Sequence, residues 1–384
     1  MADAWSGFHR LGLDERLERV VRHAKLTAAE RTALSASGAL PSELAGQFIE
    51  NAVGAFALPL GFAVHVVVDG KPVVVPMAVE ESSVIAAASH GAKLAAAGGG
   101  FRTKVDEPVA IGQVELRGVR DFAAAKRIVA RNHKAWMARL DATIPKMVAR
   151  GGGLRGLKAR SVGKDRLVLH LHVDTRDAMG ANVVNTLCEL LAPVAAEAIG
   201  AKVGLRILSN LADKRLATAT CRVPAKVLGG KEAVRAIVAA NRFALEDPYR
   251  AATHNKGILN GIDPVIVATG NDWRAVEAGA HAFAARDGHY RALTEYKADA
   301  KGDLVASLTL PMAVGTVGGV TRLHPTAAAC LKVLGDPDAK RLAAIAVSVG
   351  LAQNLAALKA LSGEGIQKGH MALHASNLAL ARKS

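Results

Sequence analysis

The segment from Asp336 to Leu361 is apolar on nearly every side when its residues are placed at helical spacing. Such a helix belongs in the middle of a domain, because other elements have to cover each of its faces. Its few polar residues, Ser348, Gln353 and Asn354, therefore need buried partners or a ligand. The sequence predicts a large, mostly helical domain around this central buried helix.

Composition and cysteine usage indicate a globular chain without a disulfide framework. Of 384 residues, 51% are apolar, 22% charged and 4% aromatic, which favours two or three domains rich in close-packed helices. Cys188, Cys221 and Cys330 are scattered, so no thiolate zinc site is indicated. We find neither the apolar run of a signal peptide nor the roughly 18 apolar residues of a membrane span. We therefore expect a cytoplasmic protein with no membrane partner.

The formal net charge of +15 is the unusual bulk property of this chain. Such a charge attracts polyanions, so a basic nucleic-acid-binding protein is one hypothesis. The lysines and arginines are dispersed, however, and no segment interleaves them with aromatic residues as a base-stacking surface requires. An anionic small molecule such as a phosphorylated coenzyme fits the charge equally well, so charge alone does not decide the partner.

Between Val109 and Asn210 the periodicity changes and predicts six elements in the order β-α-β-β-α-β. These are a strand at Val109–Val119, a helix at Asp121–Val148, strands at Leu154–Val162 and Leu167–Val173, a helix at Ala181–Ile199 and a strand at Val203–Leu208. This order is typical of the ferredoxin-like fold, an antiparallel sheet with two helices on one face. We therefore predict an α+β protein that is not a Rossmann fold. Its large domain comprises residues 1–108 and 213–374, and a small domain at 109–212 is inserted between these two parts.

The large domain is predicted from shorter patterns. Val64–Val75 alternates around Asp69-Gly70, which indicates a hairpin. An alanine-rich helix follows, with Ser82 or Ser83 as its cap and three glycines at 98–100 as its end. Further elements are a short buried strand at Val265–Ala268, a helix at Trp273–Arg286 capped by Asn271 or Asp272, and a strand at Leu304–Leu310.

Two glycine-containing segments resemble anion-binding turns. Gly151–Gly156 matches GxGxxG, but a helix precedes it and a strand follows it, the reverse of the dinucleotide-binding order. The better interpretation is a turn that ends a helix. Arg176–Asn182 instead joins a strand to a helix, where backbone N–H groups and the helix dipole can hold a phosphate. Asp177 as a plain helix cap explains this segment at least as well, and the spacing alone favours the cap.

Candidate acid–base residues occur in three further places. Lys256 lies in a polar, glycine-punctuated segment with Arg250, Thr253 and Asn260, which we interpret as a loop. Such a lysine is usually a solvated charge, but a buried lysine beside a carboxylate can polarise a carbonyl oxygen. Asp272 could supply that carboxylate or merely cap a helix. Of the adjacent Glu80 and Glu81, one at most can point into a given site, and burial would keep it protonated as an acid.

His370 and His374 have the i, i+4 spacing of some zinc ligands, but no glutamate stands between them in HExxH order. A metal site is therefore not expected.

Taken together, these segments resemble the hydroxymethylglutaryl-CoA reductases, specifically the soluble class found in bacteria and archaea. Eight runs match in family order and cover nearly the whole chain. They are Glu50–Gly54, Val79–Ser83, Arg176–Asn182, Leu208–Asp213, Asp247–Gly261, Gly270–Trp273, Pro311–Gly319 and Gly369–His374.

The resemblance implies interconversion of hydroxymethylglutaryl-CoA with mevalonate and CoA, through a mevaldehyde-level intermediate. Two hydrides are transferred from NADH or NADPH, with NADH favoured. In the catalytic set, Lys256 would stabilise the oxyanion, Glu81 donate a proton, Asp272 lie between them, and His370 protonate the CoA thiolate. The residues implied to bind the acyl group are Ser83, Arg250, Thr253, Asn260 and Asn354. Those implied to bind the dinucleotide are Asp177, Met179, Gly180, Asn182 and Asn210.

The resemblance also implies a homodimer, or a larger assembly built from dimers, with no nucleic-acid partner. The remaining alternatives are the nucleic-acid-binding protein and a catalytically inactive CoA-binding scaffold. Two departures from the family pattern concern the coenzyme and the lid. Ile144 stands where NAD-dependent relatives have an acidic residue, and Asp141 is out of register. We expect residues 375–384 to begin a C-terminal flap that is shortened or continues beyond this sequence.

Overall fold

The computed structural model describes residues 5–35 and 40–363, and it shows a mixed α+β protein with two sheets. Within these ranges ten strands occur. They are β1 Leu60–Val68, β2 Lys71–Ala78, β3 Phe101–Val105, β4 Val109–Arg117, β5 Gly153–Val162, β6 Arg166–Asp174, β7 Lys202–Ser209, β8 Leu216–Val223, β9 Thr294–Ala298 and β10 Leu304–Pro311.

A single turn of 3₁₀ helix at Phe8–Arg10 precedes the first α-helix. The α-helices of the described ranges are α1 Leu13–Ala24, α2 Ala28–Ser35, α3 Ser42–Phe48, α4 Val84–Ala96, α5 Phe122–Asp141, α6 Pro145–Ala149, α7 Ala181–Ile199, α8 Ala225–Leu228, α9 Lys231–Glu246, α10 Pro248–Ala268, α11 Trp273–Ala284, α12 Val320–Leu323, α13 Pro325–Val333 and α14 Ala339–Leu361.

The larger sheet has the strand order β2-β1-β3-β8-β10-β9, in which β1 and β3 are parallel and the other neighbours antiparallel. The smaller sheet has the order β5-β6-β4-β7, and all of its neighbours are antiparallel. Each sheet has its own cluster of buried apolar residues. In the smaller one, α5 and α7 pack against the sheet.

The predicted central helix is confirmed as α14. Asp338 caps it by accepting a hydrogen bond from Arg341 N, and most of its side chains are buried. Its neighbours α4 and α10 approach it closely at glycines. A Cβ on Gly91 of α4 would overlap the Ala352 carbonyl, and one on Gly261 of α10 would lie 2.8 Å from the Val349 carbonyl oxygen. These contacts fix where α4 and α10 cross α14.

In the part of the chain that the structure describes, two helices, α7 and α14, are long and apolar enough to cross a membrane by length and composition. For α14 the most apolar window is 89% buried inside the protein, so this helix is a core element. For α7 the buried residues, among them Leu187 and Leu191, pack on the small sheet.

Most predicted elements are confirmed, and three predictions are wrong in detail. Val265–Ala268 is the last turn of α10 rather than a strand. The helix predicted at Asp121–Val148 is divided, because Pro145 cannot donate a backbone hydrogen bond and begins the separate helix α6. Ser83 occupies the N-cap of α4, but its side chain makes no capping hydrogen bond.

We predict that Gly91→Ala destabilises the protein by about 1–3 kcal/mol, because the added methyl group meets the Ala352 backbone, which cannot rotate away. The measurement is urea-induced unfolding followed by circular dichroism. Gly46→Ala in α3 is the matched control. No atom lies within 4 Å of its added Cβ, so this helix substitution should leave stability unchanged or raise it slightly. Equal stability of the two variants would show that α4 does not pack on α14 as described.

Candidate active site

The segment that begins at Asp247 is the first part of helix α10, not the loop predicted from its glycines. Asp247 caps the helix by accepting a hydrogen bond from Arg250 N at 2.7 Å, and Pro248 occupies its first position. In a helix the steps of three, three and four residues place Arg250, Thr253, Lys256 and Asn260 within about a third of the circumference. The opposite side of α10 is buried in the core.

Lys256 of α10 meets Glu81 from the turn that precedes α4. Lys256 Nζ lies 3.4 Å from Glu81 Oε2, and the two residues are 175 positions apart in the sequence. The structure therefore brings together two of the four predicted catalytic residues. Neither is sequestered from water in this single chain, since their side chains are 64% and 43% exposed. The burial expected for both residues is thus not provided by the described residues of one chain.

Asp272 lies at the end of the turn between α10 and α11. Its Oδ1 accepts a hydrogen bond from Ala275 N at 3.1 Å, which caps α11, and lies 3.6 Å from Arg274 Nη2. The helix-capping interpretation of Asp272 is therefore confirmed. In this chain Lys256 contacts Glu81 directly, and Asp272 is not inserted between them.

The predicted substrate residues differ in their surroundings. Thr253 is exposed, Arg250 and Asn260 are half-buried on the same face of α10, and burial lowers the pKa of Arg250. Ser83 adopts a left-handed backbone conformation with φ of 72°. Asn354 is 2% exposed in α14, where its Oδ1 accepts a hydrogen bond from the Tyr296 hydroxyl at 3.0 Å.

The expectation that the polar residues of α14 find partners is met by Asn354 and by Ser348, whose hydroxyl donates to the Ala344 carbonyl. Gln353 is different, because its buried Oε1 has no hydrogen-bond partner among the described residues.

The predicted coenzyme turn lies between β6 and α7. Gly180, with φ of 94°, is the N-cap of α7, and no side chain caps this 19-residue helix. Asn182 and Asn210 are exposed, whereas Met179 is half-buried. The first backbone N–H groups of α7 thus remain available to an anion.

Asp177 does not cap α7. Its Oδ1 instead accepts a hydrogen bond from Ala339 N, at the start of α14, at 2.9 Å. The carboxylate therefore ties the turn to the central helix, and the interpretation of Asp177 as the cap of α7 is wrong.

The glycine turn at 151–153 lies beside this segment and carries basic residues. It follows α6 and leads into β5, as predicted. Arg155 and Arg176 both donate to the Gly151 carbonyl and both contact Asp174, which is 1% exposed. Asp141 accepts a hydrogen bond from Leu154 N at 2.8 Å, so its carboxylate supports this turn. Ile144, which stands where NAD-dependent relatives have an acidic residue, packs against the apolar core of the small sheet.

His370, His374 and the predicted flap at residues 375–384 lie outside the described residues. Within 5–35 and 40–363, no group of three His, Cys, Asp or Glu side chains could hold a metal ion.

Two polar groups beneath the site were not singled out from the sequence. Asp263 of α10 and Glu277 of α11 are neighbouring carboxyl groups, and burial together with the charge of Glu277 raises the pKa of Asp263 to about 8. His254, on the buried side of α10, contacts the Thr294 hydroxyl at 2.6 Å, and burial lowers its pKa to about 3. Neither position stands out in the sequence, because each pairing depends on how the elements pack.

Comparison with known proteins shows that the chain is similar to the members of one family. The family model described as hydroxymethylglutaryl-coenzyme A reductase matches residues 12–375. The 3-hydroxy-3-methylglutaryl-coenzyme A reductase of Archaeoglobus fulgidus is 48% identical over 384 residues, which cover 99% of this chain and 87% of that protein. A probable reductase of the same name from Borreliella burgdorferi is 34% identical, with 86% of this chain and 77% of that protein covered.

The fold is also similar to a solved structure. The class II reductase of Streptococcus pneumoniae, bound to NADPH in open conformations, is 43% identical. It superposes with a TM-score of 0.90, covering 93% of this chain and 99% of that one.

The Asp263–Glu277 pair generates a prediction about pH. A carboxyl group whose pKa is raised on folding holds a proton that the unfolded chain releases near pH 4, so stability is lost as the pH rises towards 8. Asp263→Asn cannot lose this proton. We expect the variant to unfold at a temperature a few degrees above the wild type at pH 8, with a smaller or reversed difference at pH 4. Parallel pH dependences of the two melting temperatures would contradict the raised pKa of Asp263.

Proposed function

The chain belongs to the hydroxymethylglutaryl-coenzyme A reductase family, and we propose that its chemistry takes place at the Lys256–Glu81 pair. It is an NAD(P)-dependent oxidoreductase that interconverts hydroxymethylglutaryl-CoA with mevalonate and CoA by two successive hydride transfers. The observation that carries the proposed site is the 3.4 Å contact between Lys256 Nζ and Glu81 Oε2. It brings the ammonium group of α10 next to a carboxyl group of the turn that precedes α4, and both helices pack on α14.

Lys256 has the charge that the reaction requires. A hydride that arrives at the thioester carbon leaves negative charge on the carbonyl oxygen, and an ammonium group at hydrogen-bond distance stabilises it. The C–S bond then breaks, which releases the CoA thiolate and leaves an aldehyde. The second hydride places negative charge on the same oxygen again, so Lys256 serves both steps.

Glu81 is the proposed proton donor in the second step. Its Oε2 is adjacent to the ammonium group, so a carbonyl oxygen bound to Lys256 would lie within reach of its proton. We assign Asp272 the role of adjusting the protonation of this pair, and His370 that of protonating the CoA thiolate. Ser83, Arg250, Thr253, Asn260 and Asn354 are the proposed contacts for the acyl group's carboxylate and hydroxyl.

The turn before α7 fits a dinucleotide. Gly180 leaves the helix N-terminus without a side chain in front of it, and the dipole of this long helix favours a phosphate there. We propose that Met179, Gly180, Asn182 and Asn210 contact the coenzyme, whereas Asp177 holds the turn in place. When bound, the coenzyme supplies the hydrides.

The choice between NADH and NADPH follows from the charges at the neighbouring glycine turn. Two guanidinium groups, those of Arg155 and Arg176, contact the buried carboxylate of Asp174. Arg176 also lies 3.9 Å from Glu107, and a third arginine, Arg150, immediately precedes the glycine turn. This excess of positive charge suits the 2′-phosphate of NADPH. We therefore propose NADPH as the preferred coenzyme, although the expectation from the family resemblance is NADH.

The order of elements from β4 to β7 supports a small, inserted unit of the ferredoxin-like type. Its sheet order, β5-β6-β4-β7, places the first and third of its strands at the centre. We propose residues 109–212 as this coenzyme-binding domain, and residues 1–108 and 213–374 as the catalytic domain. No strand-turn-helix unit of the Rossmann type is formed at its GxGxxG sequence.

A homodimer would cover an exposed apolar segment that overlaps the family-like run Glu50–Gly54. Val53 and Phe56 are 105% and 93% exposed, and Ile49 is 58% exposed. Several large apolar side chains exposed to water in one short segment are typical of a protein–protein interface. Exposure of Lys256 and Glu81 in the single chain also fits a site completed by a second subunit. We propose a cytoplasmic homodimer.

We predict that Lys256→Ala abolishes turnover of hydroxymethylglutaryl-CoA, by at least about 1,000-fold, because the oxyanion loses its counter-charge. The assay follows nicotinamide absorbance with NADPH and NADH side by side, and the wild type should be faster with NADPH. An unchanged circular dichroism spectrum and melting temperature would show that the variant is folded. Near-normal turnover would mean that the lysine is only a solvated surface charge.

The proposed dimer predicts that Phe56→Asp shifts the protein towards the monomer, because a charge cannot be buried unpaired in an apolar interface. Light scattering after gel filtration measures the mass. Leu205→Asp, a similar change at a leucine that is 65% exposed on β7, is the matched control and should remain dimeric. A wild-type protein that is monomeric at micromolar concentration would refute the proposed assembly.

A further inference from the structure

We propose that Gly315 and Asn271 are positioning residues, which set the distance between the coenzyme turn and the turn that carries Asp272. This inference rests on the proposed coenzyme site, and it concerns residues to which no role in the reaction has been given above. Its basis is a continuous path of contacts from the end of α10 to Met179.

Gly315 follows β10 and lies directly against the coenzyme turn. A Cβ at this position would be 2.5 Å from Met179 N and 3.0 Å from both Ala178 C and Asp177 O. All three are backbone atoms, so no side-chain rotation can relieve the contact. The absence of a side chain at residue 315 thus allows the coenzyme turn to approach the segment after β10 this closely.

Asn271 fixes the other side of Gly315. Its Oδ1 accepts a hydrogen bond from Gly315 N at 2.7 Å, and Asn271 immediately precedes Asp272. The amide group is held in turn by Thr269, since Nδ2 donates to the Thr269 carbonyl at 3.3 Å and hydroxyl at 3.2 Å. The backbone N–H of Asn271 donates to the Ile266 carbonyl near the end of α10. The helix that carries Lys256 is thereby connected to Gly315 through a single side chain.

Further hydrogen bonds hold the coenzyme turn, Arg176–Asn182, in one conformation. Thr316 N donates to the Asp177 carbonyl at 2.8 Å, and Ala339 N donates to the Asp177 carboxylate. Arg215, only 3% exposed, donates to the Thr175 hydroxyl at 3.3 Å, to the Met179 carbonyl and to the Val314 carbonyl. A disturbance at Gly315 would therefore displace the turn as a unit and leave its own shape intact.

A hydride moves only over a short, well-aligned distance, so displacement of the turn should affect transfer more than binding. An added methyl group at residue 315 needs roughly 1 Å of extra room to reach ordinary van der Waals separation, and a misplacement of that size can slow a reaction about 100-fold. The coenzyme's own contacts, by contrast, move together with the turn. The expected signature is a lowered kcat with an almost unchanged affinity for the coenzyme.

The test combines Gly315→Ala with Asn182→Ala and with Gly46→Ala, the glycine substitution that meets no neighbouring atom. Kd for NADPH is measured by fluorescence titration of the full chain, and kcat is measured with hydroxymethylglutaryl-CoA. For Gly315→Ala we expect kcat to fall about 100-fold while Kd changes less than threefold. Gly46→Ala should match the wild type in both quantities. A kcat within twofold of the wild type for Gly315→Ala would overturn the inference.

Asn182→Ala tests the coenzyme site itself and should raise Kd at least tenfold. An unchanged Kd for Asn182→Ala would contradict the proposed coenzyme site. An unchanged kcat for Gly315→Ala would instead contradict the positioning role of Gly315, so the two failures can be told apart.

Asn271 provides a second variant in case Gly315→Ala does not fold. Asn271→Ala removes the acceptor for Gly315 N without adding volume, and we expect kcat to fall at least tenfold with Kd preserved. Asn271→Asp keeps an oxygen at the same place and should restore most of that loss. Equal kcat values for Asn271→Ala and wild type would also overturn the inference.

Discussion

The close packing of α4 and α10 against α14 is the constraint on which the proposed site depends. Glycines at 91 and 261 allow the helix backbones to come nearer than any side chain would permit. The same contacts fix how α10 is rotated, so that its polar face, with Lys256, is directed away from the core. Glu81 lies three residues before α4 begins. Because α4 and α10 both pack on α14, this packing also fixes the position of Glu81 relative to α10.

The second constraint is the set of polar contacts that join the turn between β6 and α7 to the segment after β10 and to the start of α14. Arg215 and Asp177 lie at this junction, and both are satisfied mainly by backbone partners. Backbone groups do not move away, so such hydrogen bonds define a single arrangement, and removing one partner would leave a buried group unsatisfied. The junction can therefore hold a coenzyme turn at a defined distance from Asp272, although the residues involved are far apart in the sequence.

The sequence was sufficient to predict long periodic elements, and it was least reliable where packing overrides local preference. The central helix, the hairpin around Asp69-Gly70 and the elements between Val109 and Ser209 were predicted because their apolar periodicity is strong. The first part of α10 was interpreted as a loop because of Gly257 and Gly261, and its last turn as a strand. Gly261 is in fact required by the contact with α14. A glycine that suggests the end of a helix in the sequence therefore lies where two helices approach each other closely. Strand β8, rich in alanine and threonine, was missed because its small side chains give little alternation.

Only part of the candidate site could be predicted from the sequence, because some of its contacts depend on how distant elements pack together. Lys256 and Glu81 were identified from family-like runs, and their contact agrees with that pairing. No local pattern could show that the Asp177 carboxylate binds Ala339 N at the start of α14, or that Asp263 lies beside Glu277, because each partner is determined by the tertiary structure.

The central claim is that one site, built on Lys256 and Glu81, performs both hydride transfers before an alcohol is released. The most direct measurement is the stoichiometry of the wild-type reaction with limiting hydroxymethylglutaryl-CoA, following coenzyme oxidation together with the free thiol of CoA. The account predicts two coenzyme molecules oxidised for each CoA released, with mevalonate as the product. One coenzyme oxidised per CoA, with free aldehyde accumulating, would contradict it.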